Sequence, residues 1–208
     1  MAMTAPAKLS PQLHSGDRLT RAEFHRRYKL HPEIRKAELI EGVVFVASPL
    51  SAERHGDPHA DIMGWLFLYR RRHPELKASD NATVLLDADN EVQPDAVLRR
   101  VEGGTSQLTS RGFIQGPPEL IIEVAASSVS NDLHDKMNVY RCNGVREYVV
   151  WRVDDKAVDW FQLVDGAYVR VEPDADGVIE SVQFPGLRLD TRALLAGDID
   201  GVAKAIER

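Results

Sequence analysis

Residues 117–127, PPELIIEVAAS, place one carboxylate, Glu123, inside a run that otherwise reads as a buried β-strand. An isolated ionised carboxylate taken out of water costs many kcal/mol. A fold containing this strand must therefore supply Glu123 with a cation, a metal or a proton. Successive strand residues face opposite sides of a sheet, so Ile121, Glu123 and Ala125 share one face and Leu120, Ile122 and Val124 the other.

Periodicity places the other elements around this strand. LTRAEFHRRYKL (19–30) reads as a short helix, with Thr20 as N-cap and Glu23 completing a capping box. KAELI and VVFVAS are short β-rich runs split by Glu41-Gly42, a hairpin turn. Within ERHGDPHADIMGWLFLYRRRH (53–73) a long amphipathic helix starts at about Pro58, its buried face made by Ile62, Trp65, Leu66 and Tyr69. Strands are expected at about 82–87 and 92–98, joined by the turn ADNE. Residues 99–117, rich in Gly, Ser and Thr, read as a long, mobile surface loop. After the Glu123 strand come a small-residue turn, ASSVSN, and a helix at 131–142 that Asn143-Gly144 ends as a C-cap. Three further strands (146–153, 157–164, 168–172) and one or two short C-terminal helices complete the order. The expectation is an α/β domain over 17–208 built on one central sheet, with 1–16 as a flexible N-terminal tail.

Composition narrows the class. No apolar run approaches the roughly 18 residues that span a membrane. MAMTAPAKLSPQLHSG has no apolar core and so does not read as a signal peptide. The single cysteine, Cys142, supports neither an internal disulfide nor a cysteine-rich metal site, which fits a reducing cytoplasm. Net charge is −6, from 32 acidic against 26 basic residues, and this leans against strong non-specific DNA binding. The pairs and triplet Arg26-Arg27, Arg70 to Arg72 and Arg99-Arg100 read as solvated ends of helices or strands.

A second acid, Asp95, sits after Pro94 in VQPDAVL, and a third, Glu38, in the apolar run AELI. If the strands of Asp95 and Glu123 are neighbours, both carboxylates converge on one point. Two carboxylates held close disfavour double ionisation, a penalty that a divalent cation removes, and oxygen-only ligands suit Mg²⁺ or Mn²⁺. The competing reading of Glu123 is a buried ion pair with Lys136 or an arginine. Asp132, Lys136 and Tyr140 fall at i, i+4 and i+8 on one side of the following helix, which can bring the Lys136 ammonium to the carboxylates. His55 and His59 are also four apart, but they lack the HExxH arrangement and Pro58 is expected to break the helix between them. Ser127 and Ser128 lie in no nucleophile elbow and are expected to satisfy backbone groups of the turn.

These segments carry a resemblance. In the order AELIEGVVFVASPLSAERHG, VQPDAVL, PELIIEVAASSVSNDLHDKMNVYRCNGVREYVVW and FPGLRLD, over about 18–190, the chain resembles the Uma2 family of restriction endonucleases. That resemblance implies a restriction-endonuclease-like, PD-(D/E)xK core: a central mixed sheet flanked by helices, here with extra C-terminal strands. It makes Asp95 the aspartate of the PD motif, Glu123 the acid of the next strand and Glu38 the glutamate of the family's ELI segment. It implies Mg²⁺ or Mn²⁺ held by Asp95, Glu123, Glu38 and the Val124 carbonyl, with Lys136 as the catalytic lysine. The general pattern puts that lysine two residues after the strand acid, where this chain has Ala125. The family's usual EVLSPS is EVAASS here, an exchange of small residues. Gln93 and Tyr140 would stand behind the ligands, in structural roles. The implied activity is hydrolysis of DNA phosphodiester bonds, with a homodimer as the simplest way to cut both strands. The rival expectations are a nuclease-like domain that binds without cutting, and a phosphohydrolase of small phosphates.

Overall fold

The computed structural model describes residues 10–49, 51–126 and 128–207. Helix α1 (Arg21–Leu30) leads into the hairpin β1 (Ala37–Ile40) and β2 (Val43–Val46). Thr20 caps α1 by accepting from the Glu23 N–H at 3.4 Å, whereas the Glu23 side chain turns away to Arg26 and Arg27. A π-helical turn, Ala52–Gly56, runs directly into α2 (Asp57–Arg70). β3 (Leu76–Asp80), β4 (Val84–Leu85), β5 (Glu91–Val92), β6 (Ala96–Arg100), β7 (Gln107–Leu108), β8 (Ile114–Gln115) and β9 (Leu120–Ala125) come next. A single turn of helix, α3 (Val129–Asn131), a second π-helical turn, Asp132–Lys136, and α4 (Met137–Asn143) form one continuous rod. Gly144, left-handed at φ 85°, ends it as the sequence predicts. The chain closes with β10 (Glu147–Arg152), β11 (Ala157–Val164), β12 (Ala167–Arg170), the hairpin β13 (Val178–Glu180) and β14 (Arg188–Asp190), α5 (Thr191–Ala196) and α6 (Ile199–Glu207).

The expected central mixed sheet flanked by helices is present, and beside it the strands make a second six-stranded sheet and the two-stranded β13-β14 pair. The central sheet has the order β12-β11-β10-β9-β6-β3 and is mixed, with β9 and β10 parallel and its other pairs antiparallel. The second has the order β2-β1-β5-β4-β8-β7. The physical reason for the division is Pro94. Proline has no N–H to donate to a ladder, so the expected strand 92–98 breaks at Gln93-Pro94-Asp95. Its first part, β5, pairs with β1 and β4 in the second sheet; its last part, β6, pairs with β3 and β9 in the central one. Asp95 therefore sits where the chain crosses between sheets.

One face of the central sheet packs Leu120, Ile122 and Val124 against Ile62, Trp65, Leu66 and Tyr69 of α2 and against the C-terminal helices. The other face packs Ile121 and Ala125 against α4 and residues of the second sheet. The alternation read for β9 thus separates two cores, and Glu123 points into the second. Other expectations change. Residues 99–117 are not a free loop: they contain the β7–β8 hairpin and are drawn onto buried Glu119, which accepts from Thr105 N–H at 2.9 Å and Arg100 N–H at 3.1 Å. Arg99 is buried, not a solvated strand end. Of the expected tail, residues 1–9 lie outside the described residues. Residues 10–16 run beside β2, with Gly16 N–H donating to the Val44 carbonyl at 2.8 Å and Leu13 buried near Phe24.

Candidate active site

Continuing the β6–β9 register one pair past Ala96 opposite Ile122 sets Asp95 across from Glu123. The backbone fixes them there: Val124 N–H donates to Asp95 Oδ2 at 2.9 Å, and Asp95 N–H faces Glu123 Oε2 at 3.4 Å. Asp95 is 3% exposed, Glu123 2% and Lys136 4%. Lys136 reaches in from the rod after β9, its Nζ 2.9 Å from Glu38 Oε2, 3.1 Å from Glu123 Oε1 and 3.6 Å from Asp132 Oδ1. Tyr140 donates its hydroxyl to the same Glu123 Oε1 at 2.9 Å. The helical face of Asp132, Lys136 and Tyr140 is thus a line of groups aimed at one strand acid. Glu38 comes from β1 of the second sheet, and its other oxygen accepts Gln93 N–H at 2.8 Å. The Gln93 side chain turns away, to Tyr28 and Thr83. Glu38, Asp95, Glu123, Asp132 and Lys136 border a cleft of about 390 Å³.

Two further residues join them: Lys36, which the sequence reading did not place there, and His55, which matches a histidine of the family segment. Lys36 bridges Asp95 Oδ1 at 2.9 Å and Asn81 Oδ1 at 3.0 Å. Its signal was present: it stands two residues before Glu38 in an extended run and so shares its face. His55 accounts for the Val124 carbonyl, which accepts from its Nδ1 at 2.9 Å, so Nε2 is left facing Asp95 Oδ1 at 3.5 Å, an ion-pair distance rather than a hydrogen bond. His59 bonds the Asp95 carbonyl at 2.9 Å, and the two imidazoles stack at 5.9 Å. Pro58 does not break the helix between them. In an unbroken α-helix its ring would press on the carbonyl of Arg54; the wider π-helical turn before it relieves that contact, and His55 keeps its place over the cleft. Ser127 lies outside the described residues, while Ser128 donates to Asp132 Oδ2 at 2.5 Å.

The electrostatics arise from burial and proximity. Burial pushes Glu123 up to about 8; Lys136 opposes the shift, while Asp95 and Asp132 add to it. Burial alone would lower Lys136, but Glu123, Glu38 and Asp132 hold it well above its usual value. The lysine therefore keeps its proton, while burial raises both Glu123 and Asp132. For Asp95, burial is outweighed by His55 and Lys36, which hold it well below the usual carboxylate range. Contact with Asp95 in turn raises His55. Adjacent carboxylates are thus driven in opposite directions, an arrangement typical of sites that do acid–base or metal chemistry.

Comparison with known proteins agrees with this architecture. The profile of the Uma2 family, described as "Putative restriction endonuclease", matches residues 21–192. A crystal structure of "a putative nuclease belonging to DUF820" from Anabaena variabilis ATCC 29413 superposes with a TM-score of 0.58 at 15% identity, covering 77% of this chain and 89% of that one. At that identity the likeness is one of fold. No curated protein matches.

Proposed function

The chain belongs to the Uma2 family, and from that membership we propose that the carboxylate cleft is the active site of a Mg²⁺- or Mn²⁺-dependent endonuclease hydrolysing DNA phosphodiester bonds. The observation that carries this reading is Lys136, charged and buried, within 3.1 Å of both Glu123 and Glu38. Ala125, where the general nuclease pattern has its lysine, is packed in the apolar core beside Tyr140. The helix lysine reaches the strand acid that a lysine at 125 would otherwise serve.

Among the described residues no three His, Cys, Asp or Glu side chains are gathered as closely as in a formed metal site. The donor chemistry nevertheless fits a hard divalent cation. Glu38, Asp95, Glu123 and Asp132 line the cleft as oxygen donors beside Lys36, Lys136, Arg54 and His55, and Asp132 Oδ1 lacks a hydrogen-bond partner among the described residues. Oxygen donors of this kind suit Mg²⁺ or Mn²⁺. Asp95, Glu123, Glu38 and the Val124 carbonyl would hold the ion, which would polarise the scissile phosphate and lower the pKa of a water. The protein's own groups have separate tasks. Lys136 orients the attacking water and offsets charge on the phosphoryl oxygens. Tyr140 fixes the Glu123 carboxylate, and His55 with Lys36 holds Asp95. Cutting both strands of a duplex is simplest with two such sites, so this reading includes a homodimer.

One observation favours a domain that binds without cutting: both oxygens of Glu38, Asp95 and Glu123 already meet protein donors. Incubation of plasmid, linear and single-stranded DNA with Mg²⁺ or Mn²⁺ separates the two, with a small phosphate monoester as a further arm. The nuclease reading expects cleavage that falls by about 10²–10³ in Asp95→Asn and Glu123→Gln. Intact DNA in every arm, or equal cutting by the variants, would remove it. Turnover of the monoester alone would assign the site to small phosphates.

A further inference from the structure

Two hollows of about 560 and 360 Å³ lie between α1 and the β7–β8 hairpin, and they share His25, Glu91, Arg111 and Phe113. None of their lining residues belongs to the carboxylate cleft. Glu91 is 2% exposed. Its Oε1 meets His25 Nδ1 at 2.9 Å, while its Oε2 is buried with no hydrogen-bond partner among the described residues. A buried carboxylate oxygen without a donor is costly and marks a place where a donor is missing. Beside it the rings of His25 and Phe113 meet nearly edge to face, 5.4 Å apart at 79°, and form an aromatic corner. The margin is cationic: Arg21, Lys29 and Arg111 line the hollows, and none of them forms an ion pair among the described residues.

An acceptor at the bottom, a planar aromatic wall and a positive margin together define the ligand. An organic cation would satisfy Glu91 but be repelled by three free cations. A simple phosphate would suit the margin and leave Glu91 unmet. A nucleotide meets all three, with base N–H groups on Glu91, its ring against Phe113 and its phosphate at Arg111. Among the bases, guanine has two adjacent N–H donors, N1–H and the 2-amino group, which match a carboxylate. Adenine and cytosine set an acceptor nitrogen beside their amino group, and uracil flanks a single N–H with carbonyls; each would turn a lone pair towards Glu91. We propose that this cavity is a guanine-nucleotide site, with Glu91 reading the base, Phe113 and His25 holding its ring, and Arg111 the 5′-phosphate. It stands apart from the DNA-cutting reading, because no residue is shared.

Free GMP and a guanine within a single strand offer the same chemistry. Calorimetric titration of the full chain with GMP, IMP, AMP and UMP, and with the pentamers TTGTT and TTTTT, tests the site and its source. GMP, or TTGTT for a strand-borne base, should bind at least about tenfold more tightly than its counterparts, with IMP weakened by loss of the 2-amino group. Glu91→Gln should abolish the preference, and Arg111→Ala should weaken GMP more than guanosine. Arg111 is exposed and Phe113 half-buried, so Arg111→Ala and Phe113→Leu decide the matter if Glu91→Gln melts early. Equal affinity for all bases, no binding at millimolar concentration, a guanine preference that survives Glu91→Gln, or GMP affinity unchanged in both of the other variants would overturn the proposal.

Discussion

Lys136 faces three carboxylates with 4% of its surface exposed, so its charge is part of the fold whatever chemistry the cleft performs. Removing one partner of a buried ion pair leaves the other uncompensated, at a cost of about 3–5 kcal/mol. Lys136→Met should lower unfolding free energy by about that amount in urea titrations. Adding Glu38→Gln should return part of the loss, since it deletes one stranded anion and leaves an amide oxygen to accept from the Gln93 N–H. A double variant no more stable than Lys136→Met would mean that the ammonium acts chiefly through packing. Glu123, Asp95 and Glu38 were readable from sequence because each interrupts an apolar run. Lys36 shares the face of Glu38 but was passed over, because a lysine at the start of a strand looks like any solvated end until its neighbour is seen to be Asp95.

Both π-helical turns carry site residues, His55 in one and Asp132 with Lys136 in the other. A π-helical turn widens the helix locally and re-aims the side chains of the next turn, which is why such turns gather at functional positions. Helical periodicity marked these residues as neighbours but held no information on the wider turns. The segment 101–116 makes the complementary point. Its Gly, Ser and Thr content reads as loop, yet Glu119 gathers it in through Arg100 and Thr105. A Cβ on Gly104 would come within 2.8 Å of Glu119 Oε1 and 2.9 Å of the Arg100 carbonyl, so the close wrap needs glycine. Glu119→Ala should cost about 2–3 kcal/mol. In native-state hydrogen exchange the Thr105 amide should lose protection, and trypsin should cut first after Arg111. Unchanged protection at Thr105 would assign the order of this segment to the β7–β8 ladder instead.

On the scale of the whole molecule, four of the five tyrosines are built into the cores, and burial raises all four: Tyr69 to about 12, and Tyr140, Tyr148 and Tyr168 further. An acid whose folded pKa exceeds its unfolded value near 10 binds more protons when folded. The contribution is therefore complete below pH 10 and is lost as pH rises towards about 12. Tyr148 and Tyr168 tie the central sheet to the carbonyls of Asp132, in the π-helical turn, and of Val145, just past the end of α4. Raising the pH should thus ionise these tyrosines together with loss of tertiary structure. Absorbance at 295 nm and near-ultraviolet circular dichroism should change in one coincident transition. Tyrosinate appearing well before the dichroism changes would show that these rings are more accessible than their burial implies.

The sequence by itself determined the helices, the hairpin at Glu41-Gly42, the C-cap at Gly144 and the two faces of β9, which rest on interactions within a few residues or on alternation that a linear pattern records. The family followed from the resemblance of its ordered segments. Only the tertiary structure decided that the strands form two sheets, because two-residue strands such as β4, β5, β7 and β8 are too short to carry a period. Only it showed Pro94 as the crossing between those sheets, which puts Asp95 at their seam. There Lys36 and Glu38 of one sheet meet Asp95 and Glu123 of the other, and Lys136 closes the group from the helix. Each of these charges tolerates burial only because the others are present, and that mutual dependence arises through space, between residues up to 100 positions apart.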